Sequence, residues 1–349
     1  MDEERLMREA ISLAVATRPH PNPRVGALVL DADGRMVGRG MHAGPGSPHA
    51  EALALEEAGE RAAGGTLVVS LEPCDHTGQT PPCTEVVLAS RVVRVLVGVE
   101  DPDPRVAGRG IGRLRSAGVD VVVGIAAAEA EALDPGYFHH RRTGRPRVTL
   151  KAALTLDGWA AAADGSSQWI TSEEAREDGH RLRAAADAVM VGAGTVLADD
   201  PALTVRLSGY SGGQPRPVVV AGRRPLPPQA RLWERRPLVL APGPVDWRGE
   251  VVVVPGPDGV DLAAGLSALG ERGLLDLLVE GGPTLAGSLL RAGLVDRCVF
   301  YFGARLGGGV GTPALRGAFA TLADARRARI GSVAAVGPDV RIEFTLEDR

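Results

Sequence analysis

The chain has 349 residues, 44% of them hydrophobic, and a formal net charge of −4, enough length for two domains that each bury a core. The acidic balance excludes the electrostatic footprint that a long nucleic acid needs and favours a small-molecule substrate, and no apolar run approaches the length that spans a bilayer. Three cysteines cannot build an internal disulfide framework, and the acidic start Met1-Asp2-Glu3-Glu4 lacks the basic region of a signal peptide, so a cytoplasmic protein in a reducing compartment is expected. Positive charge is carried almost wholly by arginine: Lys151 is the only lysine, and Asn22 is the only asparagine. Arginine cannot stand in for a compact ammonium, nor aspartate for an amide that both donates and accepts, so both positions are site candidates.

In chain order, Leu6, Ile11, Leu13, Ala14 and Val15 repeat at helical spacing within 3–17 until Pro19 and Pro21 intervene. Ala27-Leu28-Val29-Leu30 predicts a strand, turned by Asp33-Gly34 into a second strand over 35–42. Asn22 precedes them and reads either as a turn former before Pro23 or as a hydrogen-bonding residue for a ribose or base edge. A helix over 50–63, a buried strand Thr66–Leu71, a helix from Cys83 to Ala89, a strand 92–99, a helix near 111–117, a strand 119–124 and a helix 126–133 complete an α/β/α layering.

His49-Ala50-Glu51 opens the helix over 50–63, and Pro73-Cys74 ends the strand before it reaches Cys83 after eight further residues. One imidazole and two thiols supply three zinc ligands and leave a fourth tetrahedral position open for water, the arrangement of a catalytic site. Glu51, two residues past the histidine, is placed to exchange protons with that water without binding the metal. H-x-E followed by P-C and a second Cys is the pattern of the zinc nucleobase deaminases. Helix starts suit the ligands, because the positive end of the dipole favours thiolate. The third cysteine, Cys298, lies in an apolar run and reads as core.

Polar, Gly- and Pro-containing Arg141–Pro146 marks a boundary, dividing the chain into 1–144 and 145–349. The second part predicts a strand over Val148–Leu154 ending at Asp157-Gly158, a polar loop Ser166–Trp169, a helix capped by Thr171 or Ser172, and a buried strand Ala188–Val191. That strand runs into Gly192-Ala193-Gly194-Thr195, and the strand Leu274–Val279 runs into Glu280-Gly281-Gly282-Pro283-Thr284 and a helix to about Leu290. Glycine turns between strand and helix admit an anion to free N–H groups, so a nucleotide or sugar phosphate is expected here, although neither turn matches G-x-G-x-x-G. Pro- and Gly-rich 211–257 reads as short strands and loops at the periphery, and 295–302, the glycine-rich 303–311 and a closing strand 340–346 read as sheet edge and loop.

The long spacing Glu72-Pro73-Cys74-Asp75-His76-Thr77-Gly78-Gln79-Thr80-Pro81-Pro82-Cys83 resembles the bacterial deaminase–reductases of riboflavin biosynthesis, as does the order Gly40-Met41-His42 before His49-Ala50-Glu51. Lys151 with Leu156-Asp157-Gly158, Ser167–Ser172, Gly194–Arg206 and Val279–Gly287 resemble the reductase half of the same family, so the likeness covers nearly the whole chain in the family's order. The resemblance implies a cytidine-deaminase-like α/β/α domain followed by a dihydrofolate-reductase-like α/β domain. It implies zinc and NADPH as cofactors, a pyrimidine ribosyl phosphate as substrate, and a homo-oligomer, dimer or tetramer.

By position in the family, His49, Cys74 and Cys83 hold zinc, Glu51 is catalytic, and Asn22 and His42 touch the deaminase substrate. Lys151, Ser167, Arg183, Leu203, Arg206 and Glu280 contact the reductase substrate, with Arg183 and Arg206 on its phosphate and Lys151 beside the ribose. Ala153, Trp169, Thr195, Asp199 and Gly222 hold NADPH with the turn Gly282, Pro283, Thr284, Leu285, Ala286, Gly287 and Ser288. Relatives commonly carry Lys or Arg where this chain has Gln79, and often Asp-Ser where it has Ala221-Gly222; Arg223-Arg224 after them read as a hold on the extra phosphate of NADPH or as a solvated turn. Two other readings are a deaminase for cytidine-type nucleosides or tRNA, opposed by the reductase half and the acidic charge, and a silent metal-binding protein, opposed by the intact motif.

Overall fold

The computed structural model describes residues 2–77, 81–222, 225–257, 259–317 and 321–347; Gln79 and Arg223-Arg224 lie outside the described residues. The chain forms two compact units, Met1–Gly144 and Arg145–Arg349.

The first unit runs α1 (Glu3–Ala14), β1 (Gly26–Leu30), β2 (Met36–Met41), α2 (Ala50–Ala58), β3 (Thr66–Leu71), α3 (Cys83–Ala89), β4 (Arg94–Val99), α4 (Arg109–Ser116), β5 (Asp120–Val123), α5 (Ala127–Leu133) and α6 (Pro135–Thr143). Its sheet has the order β2-β1-β3-β4-β5, with β1 antiparallel to both neighbours and β3, β4 and β5 parallel. Strands β1 and β3 are buried along their whole length, which is why they read as unbroken apolar runs. Leu6, Met7 and Ala10 of α1 pack on Leu28, Leu30, Val68 and Leu96. Gly38 and Gly40 let α2 lie directly on β2, because a Cβ there would fall 2.1 Å from the Ala54 carbonyl oxygen and 2.2 Å from that of Ala50. This close approach places the start of α2, where the metal motif begins.

Three local expectations shift. The helix expected over 50–63 ends at Ala58, where Gly59 turns to φ +57° and a 3₁₀ turn, Gly59–Ala62, follows. α1 stops at Ala14, and Val15 is 60% exposed. α6 is a helix the apolar pattern did not indicate; Asp134 caps it by accepting from the Tyr137 N–H, and Gly144 at φ +75° ends it.

The second unit runs β6 (Arg147–Thr155), β7 (Trp159–Ala161), α7 (Glu173–Ala185), β8 (Ala188–Gly192), α8 (Ala193–Asp199), β9 (Arg216–Val220), β10 (Leu238–Ala241), β11 (Glu250–Val253), β12 (Pro255–Gly256), β13 (Gly259–Val260), α9 (Leu262–Gly270), β14 (Asp276–Val279), α10 (Pro283–Arg291), β15 (Arg297–Gly303), β16 (Thr312–Pro313), β17 (Ala328–Val336) and β18 (Asp339–Leu346). Nine strands form one sheet in the order β11-β10-β9-β8-β14-β6-β15-β18-β17. It is parallel from β11 to β15 and antiparallel at β18 and β17. Met190, Leu277 and Val279 enter one core cluster while Val189, Val191 and Leu278 enter another, so alternate residues of each strand serve opposite faces of the sheet.

The sheet corrects two expectations. Residues 295–302 do not form an edge: β15 lies between β6 and β18, with Val299 and Tyr301 at most 1% exposed. Segment 211–257 is not all periphery either, since β9 and β10 are interior strands with Val218, Val219 and Leu238–Ala241 buried. Cys298 is core as expected, at 1% exposure. Open parallel sheets hold ligands at the carboxyl ends of their strands, and those ends here carry Thr155, Gly192, Glu280 and Gly303.

Candidate active sites

In the first unit, β3 delivers Cys74 through a carboxylate clamp. Glu72, 3% exposed, accepts from the backbone N–H groups of Asp101, Gly108, Gly110 and Ile111 at 3.0 to 3.2 Å. A Cβ on Gly110 would fall 1.8 Å from the Pro73 carbonyl oxygen, so the first turn of α4 is pressed against the residue that precedes the first thiol. His49 is the N-cap of α2 and Cys83 the first residue of α3.

His49 Nδ1 lies 3.1 Å from Cys83 Sγ and 3.6 Å from Cys74 Sγ, and the Cys83 N–H donates to Cys74 Sγ at 3.4 Å. All three ligand atoms lie within 4.8 Å of one another. Bonds of 2.0 to 2.3 Å to a tetrahedral zinc put donor atoms roughly 3.3–3.8 Å apart. Two sulfurs and an imidazole nitrogen at this separation therefore fit zinc, with one position left open.

The electrostatics suit the same chemistry. The hydrogen bond from Cys83, aided by His49 and opposed by burial, brings the Cys74 thiol down to about 4, while that shared proton pushes Cys83 up. The Cys74 contact raises His49. Burial raises the Glu51 carboxyl, which is 3% exposed. Asn22 Nδ2 donates to His42 Nε2 at 3.0 Å, so the neutral ring carries its hydrogen on Nδ1, 3.2 Å from the Pro48 carbonyl. Burial lowers His42, and its ring meets His49 edge-on at 5.1 Å. Asn22, His42, His49, Glu51 and Cys74 thus line one cavity of about 280 Å³.

The same cavity exposes residues that sequence reasoning missed. Tyr137 donates to both oxygens of Asp101 at 3.1 Å, and burial raises that carboxyl to about 6. The available signal was the Asp101-Pro102-Asp103-Pro104 run just past a buried strand.

In the second unit, Lys151 on β6 has its Nζ 5.7 Å from the centre of the Tyr301 ring, and Ala153 pairs with Tyr301 across the ladder. Arg183 of α7 meets Glu280 at two points, 2.7 and 2.8 Å, and gives a third bond to the Thr204 carbonyl at 2.8 Å. Burial would raise Glu280, but Arg183 outweighs it and holds the carboxyl at about 2. Lys151, His180 and Arg206 belong to the same field of charge. Arg183 is therefore largely committed within the protein, whereas Arg206 is exposed and, among the described residues, has no ion-pair partner.

Ser167 and Trp169 line a cavity of about 530 Å³ with Thr155, Trp159 and Arg305. Trp169 is 57% exposed, with the Arg176 guanidinium 4.4 Å from its ring centre. Thr195 Oγ1 would lie 3.7 Å from a Cβ on Gly282, which brings the two glycine turns together. Gly282 caps α10 without a side chain, with Pro283 in the first turn and Thr284 exposed. Leu285, Ala286 and Gly287 face the core instead; a Cβ on Gly287 would meet the Arg316 carbonyl oxygen at 2.2 Å. Leu203 is likewise 1% exposed, so these four could meet a ligand only through backbone. Ser288 is half-buried and Asp199 exposed at the end of α8. Gly222 turns at φ +60° beside a hollow of about 370 Å³ that includes Trp247.

Fold and site together define a two-part enzyme, a zinc-binding deaminase unit and an α/β reductase unit. Residues 1–99 match the cytidine and deoxycytidylate deaminase zinc-binding region, and residues 146–342 match the RibD C-terminal domain. The chain belongs to the RibD family of riboflavin biosynthesis. It is 41% identical to the riboflavin biosynthesis protein RibD of Escherichia coli K12, covering 97% of this chain and 98% of that one. It is 42% identical to RibD of Mycobacterium tuberculosis H37Rv, covering 99% and 98%. Among solved structures, Acinetobacter baumannii RibD aligns with a TM-score of 0.90 at 34% identity over 99% of both chains. The Thermotoga maritima diaminohydroxyphosphoribosylaminopyrimidine deaminase/5-amino-6-(5-phosphoribosylamino)uracil reductase aligns with a TM-score of 0.88 at 32% identity, covering 99% and 98%.

Proposed function

We propose that residues 1–144 hydrolyse the 2-amino group of 2,5-diamino-6-ribosylamino-4(3H)-pyrimidinone 5′-phosphate, and that residues 145–349 then reduce the ribosyl chain with NADPH to give 5-amino-6-ribitylamino-uracil 5′-phosphate. The observation that carries the first step is the convergence of His49, Cys74 and Cys83 beside the buried Glu51. Zinc bound there supplies a Lewis acid that brings the pKa of a water towards ~7. Glu51, its proton affinity raised by burial, takes a proton from the attacking water and returns one to the departing ammonia. Asn22 and His42 form a neutral polar wall that orients the pyrimidine.

NADPH supplies the hydride for the second step. Lys151 holds a ribose hydroxyl, Arg206 with Arg183 holds the phosphate, and Glu280 keeps Arg183 in place. Ala153, Trp169, Thr195, Asp199, Gly222 and the Gly282–Ser288 turn would hold the cofactor, and the free N–H groups at the start of α10 suit an anionic group.

We further place the enzyme in the cytoplasm as a homo-oligomer. Among the described residues no helix is long and apolar enough to cross a membrane, and the free thiols of Cys74 and Cys83 need reducing surroundings. The edge strand β17 exposes Ile330 and Val333 at 61% each, a surface that a second copy would cover; sedimentation showing only monomer would remove that part.

The deciding experiment is NADPH consumption by zinc-loaded protein given the diaminopyrimidine ribosyl phosphate alone. Consumption is expected, and it should vanish in Glu51→Gln while persisting when the deaminated uracil intermediate is supplied. Ammonia release without NADPH consumption would confine the activity to the first unit.

A further inference from the structure

Residues 176, 179, 180 and 183 of α7 share one side of the helix, as a 3.6-residue period requires. Arg176 lies over the Trp169 ring, and a Cβ on Gly179 would stand 3.7 Å from Lys151 Cε. His180 Nδ1 accepts the Arg206 backbone N–H at 3.4 Å, and Arg183 pairs with Glu280. Each member of the row meets a residue assigned to the reductase site, yet only Arg183 has so far been given a role.

The bond from Arg206 decides which ring nitrogen of His180 carries hydrogen. Nδ1 accepts, so the neutral ring is protonated on Nε2. Among the described residues that Nε2 has no hydrogen-bond partner, and it is not among the buried orphaned atoms. Burial, then the charges of Arg183 and Arg206, hold the imidazole at about 4, with Lys151 adding to the effect and Glu280 opposing it. The ring is therefore neutral at pH 7, and its one N–H has no acceptor among the described residues.

We propose that His180 is a ligand-binding residue of the reductase site, donating from Nε2 to the phosphate of the ribosyl phosphate substrate beside Arg206. The proposal rests on the reductase reading given above. Three cations, Lys151, Arg183 and Arg206, face one carboxylate, Glu280, so the cluster favours an anion. Arg183 uses three of its N–H groups on Glu280 and Thr204, so the Arg206 guanidinium and the His180 N–H supplement the donors that Arg183 keeps for the anion. A neutral donor does this without setting a further positive charge against Arg206.

The test uses the zinc-loaded full chain with the deaminated ribosylamino-uracil phosphate, so that reduction is read without deamination. His180→Phe is expected to raise KM for that substrate about tenfold, with kcat and the KM for NADPH unchanged. His180→Gln restores an N–H donor and should recover most of the loss. An unchanged KM in folded His180→Phe, or no recovery with Gln, overturns the proposal. In ¹⁵N-histidine-labelled wild-type protein, inorganic phosphate should shift the His180 Nε2–H signal while Nδ1 stays unprotonated; no shift at saturating phosphate also overturns it. If wild-type protein consumes no NADPH with this substrate, the reductase reading fails, and the phosphate titration then decides the His180 contact by itself.

Discussion

Arg183 and Glu280 are joined at two points, Nε to Oε1 at 2.7 Å and Nη2 to Oε2 at 2.8 Å, with both side chains only 14% exposed. The pair links α7 to the end of β14 and fixes the charged cluster of the second unit. Removing one partner from such a pair leaves a buried charge uncompensated, so Glu280→Ala is expected to destabilise the protein by about 3–5 kcal/mol, measurable as a fall in thermal midpoint. The folded carboxyl at about 2 lies below its unfolded value of about 4.3. Its contribution is thus complete above about pH 4 and is lost as pH falls through 2. A wild-type minus Glu280→Gln stability difference that does not shrink on acidification would contradict this.

Gly110 tests the clamp behind the metal site. Gly110→Ala forces a methyl towards the Pro73 carbonyl oxygen, 1.8 Å from the position a Cβ would take. The contact between α4 and Pro73 must give way, and Cys74 moves with it. Zinc affinity, measured by competition with a chelator, should fall at least tenfold. Gly112→Ala is the control, because nothing lies within 4 Å of its Cβ position.

Asp101 titrates in the opposite sense to Glu280. Its folded value of about 6 exceeds the unfolded ~3.9, so the site favours the fold below about pH 4 and that contribution is lost as pH rises through 6. Tyr137→Phe deletes the two hydrogen bonds that favour the charged form. The Asp101 carboxyl should then titrate above 6, followed by ¹³C NMR; a downward shift would show that the Tyr137 hydroxyl does not favour the charged form.

Lys151 is the residue whose charge type should matter. Its amine sits against Gly179 on one side and the Tyr301 ring on another, a space shaped for a compact ammonium and not a planar fork. Lys151→Arg is expected to lower reductase turnover by about 10²-fold while ammonia release is unchanged. Equal turnover would reduce the lone lysine to a consequence of composition.

What the sequence determined by itself is the chemistry that lies close along the chain. His49 and Glu51 are two residues apart at a helix start, and Cys74 and Cys83 lie nine positions apart, so motif spacing alone singled out the three residues whose ligand atoms meet within 4.8 Å and the buried carboxylate proposed to work beside them. Short-range periodicity likewise revealed β1, β3, β8 and β14, because a strand buried on both faces shows as a continuous apolar run. Tertiary structure decided what depends on distant segments meeting. Glu72 reaches N–H groups 29 to 39 residues away; Asp101 finds Tyr137 36 residues on. β14 inserts between β8 and β6, and β15 passes to the interior. No local pattern encodes these, since strand order and clamp partners are chosen by which surfaces exclude water together. The same holds for α7: its sequence shows a charged helix, and only the packed sheet turns the row of Arg176, Gly179, His180 and Arg183 towards Trp169, Lys151, Arg206 and Glu280.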